Sequence, residues 1–189
     1  MSPNKKLDAM WFDVAALDDD SVLYANSLGK ALALAQSFEE DCKFVLTVAN
    51  LSFEVEAGHL SDLDEIASYS ERLADSFKFG RDVVQFRSRH AQADDDVEAL
   101  RRGAKARNYI AHEAAHPLLM GRSAKAAVLQ NLERYEEEVK ALARAANTIS
   151  CWSYEIQEKG APPPGFARTY SEDVSAWILY ELLRLRNGV

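Results

Sequence analysis

Glycine and proline are scarce in this chain, at 8 and 5 of 189 residues, and turn-rich β structure needs both at its corners. Their scarcity favours long, uninterrupted helices. Cysteine is scarcer still, with only Cys42 and Cys151. They lie far apart, and a chain this long builds a core without a disulfide framework, so two buried reduced thiols are expected. Apolar runs are short. None approaches the roughly 20 residues that span a bilayer, so no membrane partner is expected. The N-terminal stretch MSPNKKLDAMWFDVAALDDD carries lysines, but Asp8, Asp13 and the run Asp18–Asp20 break its apolar part. That is not a signal-peptide pattern, and the reading is a cytoplasmic protein. Excess positive charge is missing too. With a formal net charge of −8, the molecule as a whole repels nucleic acid, so any RNA contact must come from a local basic patch.

What is present suits one folded domain over residues 1–189. Hydrophobic residues make up 48% and charged residues 28%, which supplies a core and argues against disorder. Residues 1–17 read as an N-terminal arm in which Met10, Trp11, Phe12, Val14 and Leu17 could dock on the bundle or on a partner chain. Asp18-Asp19-Asp20-Ser21 then starts a helix, because acidic side chains complement its positive end. Apolar residues at Leu28, Leu32, Ala35, Phe38, Cys42, Val45, Ala49 and Phe53 step by three or four, which predicts one buried face until Gly58. Ser61-Asp62 caps a second helix with Leu63, Ile66, Ala67, Leu73 and Phe77 expected on its buried side.

Gly80 precedes a basic segment, RDVVQFRSRH, containing Arg81, Arg87, Arg89 and His90. Asp94-Asp95-Asp96 starts a third helix, with Val97, Leu100, Ala104, Ala111 and Leu118 as its inner face. From about Ser123 to Lys159, Val128, Leu132, Tyr135, Val139, Leu142, Ala146, Ile149, Trp152 and Ile156 mark the clearest helix. Its opposite face carries Glu133, Arg134, Glu137, Lys140 and Arg144, the solvated side. Ala161-Pro162-Pro163-Pro164-Gly165 cannot continue that helix, and a short last one is predicted after Ser171 (171–187). Trp11, Trp152 and Trp177 each lie within an apolar pattern and read as packing residues. The fold class is all-α: an antiparallel bundle of about four main helices with a short C-terminal helix.

The chemistry concentrates in Ala106–Leu118, ARNYIAHEAAHPL. On an ideal helix Arg101, Lys105, Asn108, His112 and His116 fall at steps of four, three, four and four, forming one polar stripe. Arg107 lies about 140° from His112, so only its long side chain brings the guanidinium round, or it reaches a second protomer. A histidine near its ordinary pKa of about 6.5 can take the proton of an RNA 2′-hydroxyl or protonate the leaving oxygen. A guanidinium can bind phosphate oxygens and stabilise the charge that grows on them. That chemistry needs no metal and implies no cofactor.

Arg107-Asn108-Tyr109-Ile110-Ala111-His112 resembles the Rx4–6H motif of the HEPN superfamily (higher eukaryotes and prokaryotes nucleotide-binding). Six residues carry the tight match. The resemblance implies an all-α, HEPN-like bundle whose motif lies on a late helix at a two-fold interface, where two copies form one composite, metal-independent RNase site. It implies Arg107 and His112 as catalytic, with Asn108 orienting or contacting phosphate. Arg101, Arg102, Lys105 and His116 are then RNA-binding candidates beside that site. The implied partners are RNA, a second copy of the chain, and an antitoxin or regulatory protein of a prokaryotic toxin–antitoxin or anti-phage system. Some members of the family have lost catalysis, so a silent nucleic-acid- or protein-binding module is the alternative.

A different reading comes from His112-Glu113-Ala114-Ala115-His116, which matches HExxH. Histidines a turn apart on a helix can chelate zinc, with the intervening glutamate as general base. Pro117 directly follows the second histidine, where such a helix continues for another turn. A third ligand is needed, and Glu133, Glu136 and Glu137 lie at workable separations.

Overall fold

The computed structural model describes residues 18–78, 82 and 94–187. The N-terminal arm with Trp11 and the basic segment with Arg81, Arg87, Arg89 and His90 lie outside them. Five α-helices and one 3₁₀ segment make up the described fold, and no strand occurs among the described residues.

Helix α1 runs Asp19–Glu56, about 57 Å at 1.5 Å per residue. Asp18 caps it: its Oδ1 accepts from the Ser21 amide at 2.8 Å, a bond that also holds the carboxyl below its ordinary pKa. Gly58 ends it at φ +74°, a left-handed turn that glycine adopts without a Cβ penalty. Helix α2 is Leu63–Ser76. Asp62 accepts from the Glu65 amide at 2.8 Å, which caps the helix, and Glu65 reaches back to accept from the amide of Ser61, the residue before the cap, at 3.0 Å. Helix α3 is Asp94–His112, followed by a 3₁₀ segment His116–Ser123. Helix α4 is Ala124–Glu158 and α5 is Pro164–Asn187.

Cross-helix contacts fix the directions. Tyr24 and Phe38 of α1 meet Ala114 just past α3 and Gly103 within it, so α1 and α3 are antiparallel. Asp20 pairs with Lys125 and Asp41 with Ser150, so α1 and α4 run in the same direction. Asn147 donates to the Ala167 carbonyl and Arg186 bonds Glu136, which sets α5 antiparallel to α4. The result is an up–down–up–down bundle of α1, α3, α4 and α5. Helix α4 packs against all three of the others.

That centrality is visible in its burial. Tyr135, Val139, Leu142 and Ile149 are wholly buried, and so are Ala143 and Ala145 on flanking positions. A fully buried Leu or Ile contributes roughly 1.5–3 kcal/mol. Trp152 and Ile156 are half-buried against the same core. Both cysteines are free thiols, Cys42 buried and Cys151 half-buried.

Several expectations need correcting. Helix α2 has no buried residue: Leu63 is 82% exposed and Ala67 is exposed, while Ile66, Leu73 and Phe77 are half-buried. The reason is that α2 makes its substantial contacts with α1 alone, so its apolar face is only partly covered. The C-terminal helix is not short. It starts seven residues before Ser171, at Pro164, and spans 24 residues. Proline is tolerated there because the first N–H groups of a helix have no intrahelical acceptor. It takes the fourth place in the bundle, with Ile178, Leu179 and Leu182 in the core. Trp177, by contrast, is 55% exposed. The Lys30 ammonium sits over its ring at 4.8 Å and bonds its carbonyl at 3.2 Å, which covers one face without burying the side chain.

On α1, Leu32 and Phe53 are exposed, whereas Tyr24, Ala31, Leu34 and Leu46 join the core. On α3, Ala111 is exposed; Ala106, Tyr109 and Ile110 are buried in its place. Leu118 is buried as expected, but from the 3₁₀ segment.

Candidate functional site

Helix α3 carries the polar residues on its outer side because its inner side is pinned at two places. At Gly103 the helix comes so close to its neighbours that an added Cβ would lie 3.1 Å from the Phe38 ring and overlap the Cβ of Ala145. At its end, the Tyr24 hydroxyl donates to the Ala114 carbonyl at 2.8 Å, satisfying one of the acceptors that a helix terminus leaves open. Burial pushes the Tyr24 phenol well above the ordinary tyrosine range, with Tyr109 and Tyr135 nearby adding to it.

Lys105, Asn108 and His112 are exposed and Arg101 is half-buried, so these four form one accessible stripe. Arg101 bonds Glu98 at 2.9 Å. Among the described residues no hydrogen-bond partner is found for the His112 imidazole, which sits on the last residue of α3.

His116 does not extend this stripe. The helix ends at His112, residues 113–115 form a turn, and His116 opens the 3₁₀ segment as an exposed residue. The two histidines therefore do not stand a turn apart on one helix, which is the arrangement the HExxH reading needs. Of the proposed third ligands, Glu136 is bonded to Lys140 and Arg186; the Lys140 bond holds its carboxyl below its ordinary pKa. Among the described residues, no three His, Cys, Asp or Glu side chains come together as a metal-binding group.

Arg102 lies off the stripe. It is paired with Glu138 of α4, and that bond raises its already high pKa. With Asp95, Glu98, Ala99, Lys140, Ala141 and Arg144 it lines a groove of about 490 Å³ between α3 and α4. Arg107 is half-buried and engages α1. Its Nη2 is paired with Glu39 of α1, and its Nη1 donates to Asn108 Oδ1 at 3.1 Å.

Sequence reasoning missed Glu39 and, although it placed Arg134 on the exposed face where it lies, missed the partners of that arginine. Arg134 reaches back from α4 to bond Glu113 at 3.0 Å, and its guanidinium stacks 4.2 Å from the centre of the Tyr109 ring. This brings a cation from α4 to the turn beyond His112. Burial raises the Tyr109 phenol, partly offset by Arg134. Neither pairing has a local signal, because 68 residues separate Glu39 from Arg107 and 21 separate Glu113 from Arg134.

Chemically, the end of α3 offers an accessible imidazole, an amide and a lysine on one face, with guanidinium groups at both edges. That set can bind an oxyanion and move a proton. No helix among the described residues is long and apolar enough to cross a membrane. No family model, curated protein or solved structure matches the chain.

Proposed function

We propose that this protein is a metal-independent, HEPN-like endoribonuclease whose composite Arg/His site forms between two copies of the chain. The observation that carries the reading is the accessible His112 imidazole on the same helix face as Arg101, Lys105 and Asn108, with Arg107 at its edge. In the reaction, an RNA 2′-oxygen attacks the adjacent phosphorus and the bond to the 5′-oxygen breaks. His112 of one protomer takes the 2′ proton, and His112 of the other protonates the departing 5′-oxygen. Arg107 and Asn108 stabilise the phosphate oxygens, and Lys105 and Arg101 hold the flanking backbone. The all-helical fold is compatible with such a role in a toxin–antitoxin or anti-phage system, where an antitoxin or regulatory protein restrains the nuclease.

The deciding experiment is cleavage of single-stranded RNA in excess EDTA. The expected products carry a cyclic phosphate end, and DNA of the same sequence stays intact. Activity lost with EDTA and restored by Zn²⁺ would return the assignment to the His112–His116 zinc reading.

A second reading, a silent helical module that binds nucleic acid or protein, is favoured by the Arg107–Glu39 pair, which occupies the arginine. RNA bound but never cut is the result that selects it.

A further inference from the structure

The Phe38 ring is fully buried on α1 and packs beneath Gly103. The next residue, Glu39, emerges at the edge of the seam between α1 and α3. One turn beyond Gly103, Arg107 meets it. The two side chains keep 24% (Arg107) and 35% (Glu39) of their surface accessible, so the contact sits at the rim of the bundle. A guanidinium presents its N–H groups as a planar fork that takes a carboxylate or a phosphate in the same geometry.

We propose that the Glu39 carboxylate occupies the place on Arg107 that an RNA phosphate takes, making Glu39 an internal competitor that sets the site's affinity for RNA. This rests on reading the α3 stripe as an RNA-contacting surface. Three features support it. The competitor and the ligand belong to the same oxyanion class. Exchange of one for the other needs no opening of the core, since Phe38 and Gly103 keep the helices in register while a rim side chain swings away. Asn108 holds the second terminal nitrogen at 3.1 Å, so the guanidinium stays in place when the carboxylate leaves.

The neighbouring acids are otherwise engaged. Glu40 accepts from Gln36 at 3.3 Å and Asp41 accepts from Ser150 at 3.2 Å. Glu39 is the member of the run Glu39-Glu40-Asp41 that is paired with a cation of the candidate site.

The test uses a labelled 2′-O-methyl RNA oligomer, which cannot supply the attacking hydroxyl, and fluorescence anisotropy at low salt with the full chain. Glu39→Gln removes the charge and keeps the shape. It is expected to bind the oligomer about two- to fivefold more tightly than wild type, the range an exposed ion pair supports. In an Arg107→Ala background the same substitution should bring no gain. Glu40→Gln, which removes an equal charge one residue away, should gain less than Glu39→Gln. Equal or weaker binding by Glu39→Gln overturns the proposal, as does an undiminished gain without Arg107. If Arg107→Ala weakens binding while Glu39→Gln fails to strengthen it, the competition alone is wrong. If Arg107→Ala binds as wild type does, the RNA-surface reading falls and the competition falls with it.

Discussion

Gly103 lies against Phe38 so closely that a methyl group at Gly103 would stand 3.1 Å from the ring. The helix that carries the candidate site is seated on that contact. Gly103→Ala gains helix propensity, but it pushes α3 off both α1 and α4. The expected net loss is about 1–3 kcal/mol of stability, the usual cost of overpacking. Urea unfolding followed by circular dichroism measures it, and a variant as stable as wild type would show that the seam is slack.

Stability should also fall in alkali. Burial raises the Tyr24 and Tyr135 phenols above the ordinary value near 10, so the fold binds their neutral forms. Below about pH 10 both states are protonated and this contribution is intact. Above it the unfolded chain ionises first, and stability drops by about 1.4 kcal/mol per pH unit for each tyrosine. Unfolding at pH 9 and pH 11 reads the slope. Tyr135→Phe should make it shallower, and an unchanged slope would remove Tyr135 from the account.

Substitutions along α3 should separate chemistry from binding. His112→Ala is expected to lower turnover by about 10²–10⁴-fold, as loss of a general acid–base group does, with little change in RNA affinity. Arg107→Ala should lower turnover and weaken binding through loss of a phosphate contact. Lys105→Ala should weaken binding and flatten its salt dependence while the chemical step stays nearly intact. Single-turnover rates and titrations at several salt concentrations give both quantities. Wild-type cutting by His112→Ala would disprove the site assignment.

Assembly is the remaining prediction. Within one protomer Arg107 is paired toward α1 and His112 faces solvent, and a single histidine cannot act as acid and base at once. A symmetric dimer joining two α3 ends is therefore expected. Light scattering that reports a monomer at every concentration tested would sink it, and a stable dimer with separated α3 ends would count equally against the composite site.

Much of the bundle was legible because its signals are local. Asp18 before an apolar stripe marked the start of α1, and the three-and-four spacing from Val128 to Ile156 marked α4. The prolines misled, since Pro164 both ends one connection and opens the next helix, and only the bound on the first turn distinguishes the two. Leu63 and Trp177 looked like core residues because their patterns say which face is apolar but not whether another helix covers it. Ala143 and Ala145 left no stripe, being small residues whose burial depends on three neighbours closing around α4. In the candidate site the outward set Lys105, Asn108 and His112 followed from periodicity. The partners Glu39 and Arg134 did not, because they arrive from other helices.

Ser27 has a consequence for how the chain is made. Its buried hydroxyl lies 3.1 Å from the Tyr135 hydroxyl and donates to the Ile178 carbonyl at 2.8 Å, across 151 residues of sequence. At roughly 5–20 residues per second of synthesis, Ser27 waits about 8–30 s for that last partner. Throughout that interval α1 lacks the helix that packs against it at Ser27 and Lys30. Until Ile178 has been synthesised, the Ser27 hydroxyl has no carbonyl to donate to across the bundle, so the bond that ties α1 to α5 is among the last that the chain can make.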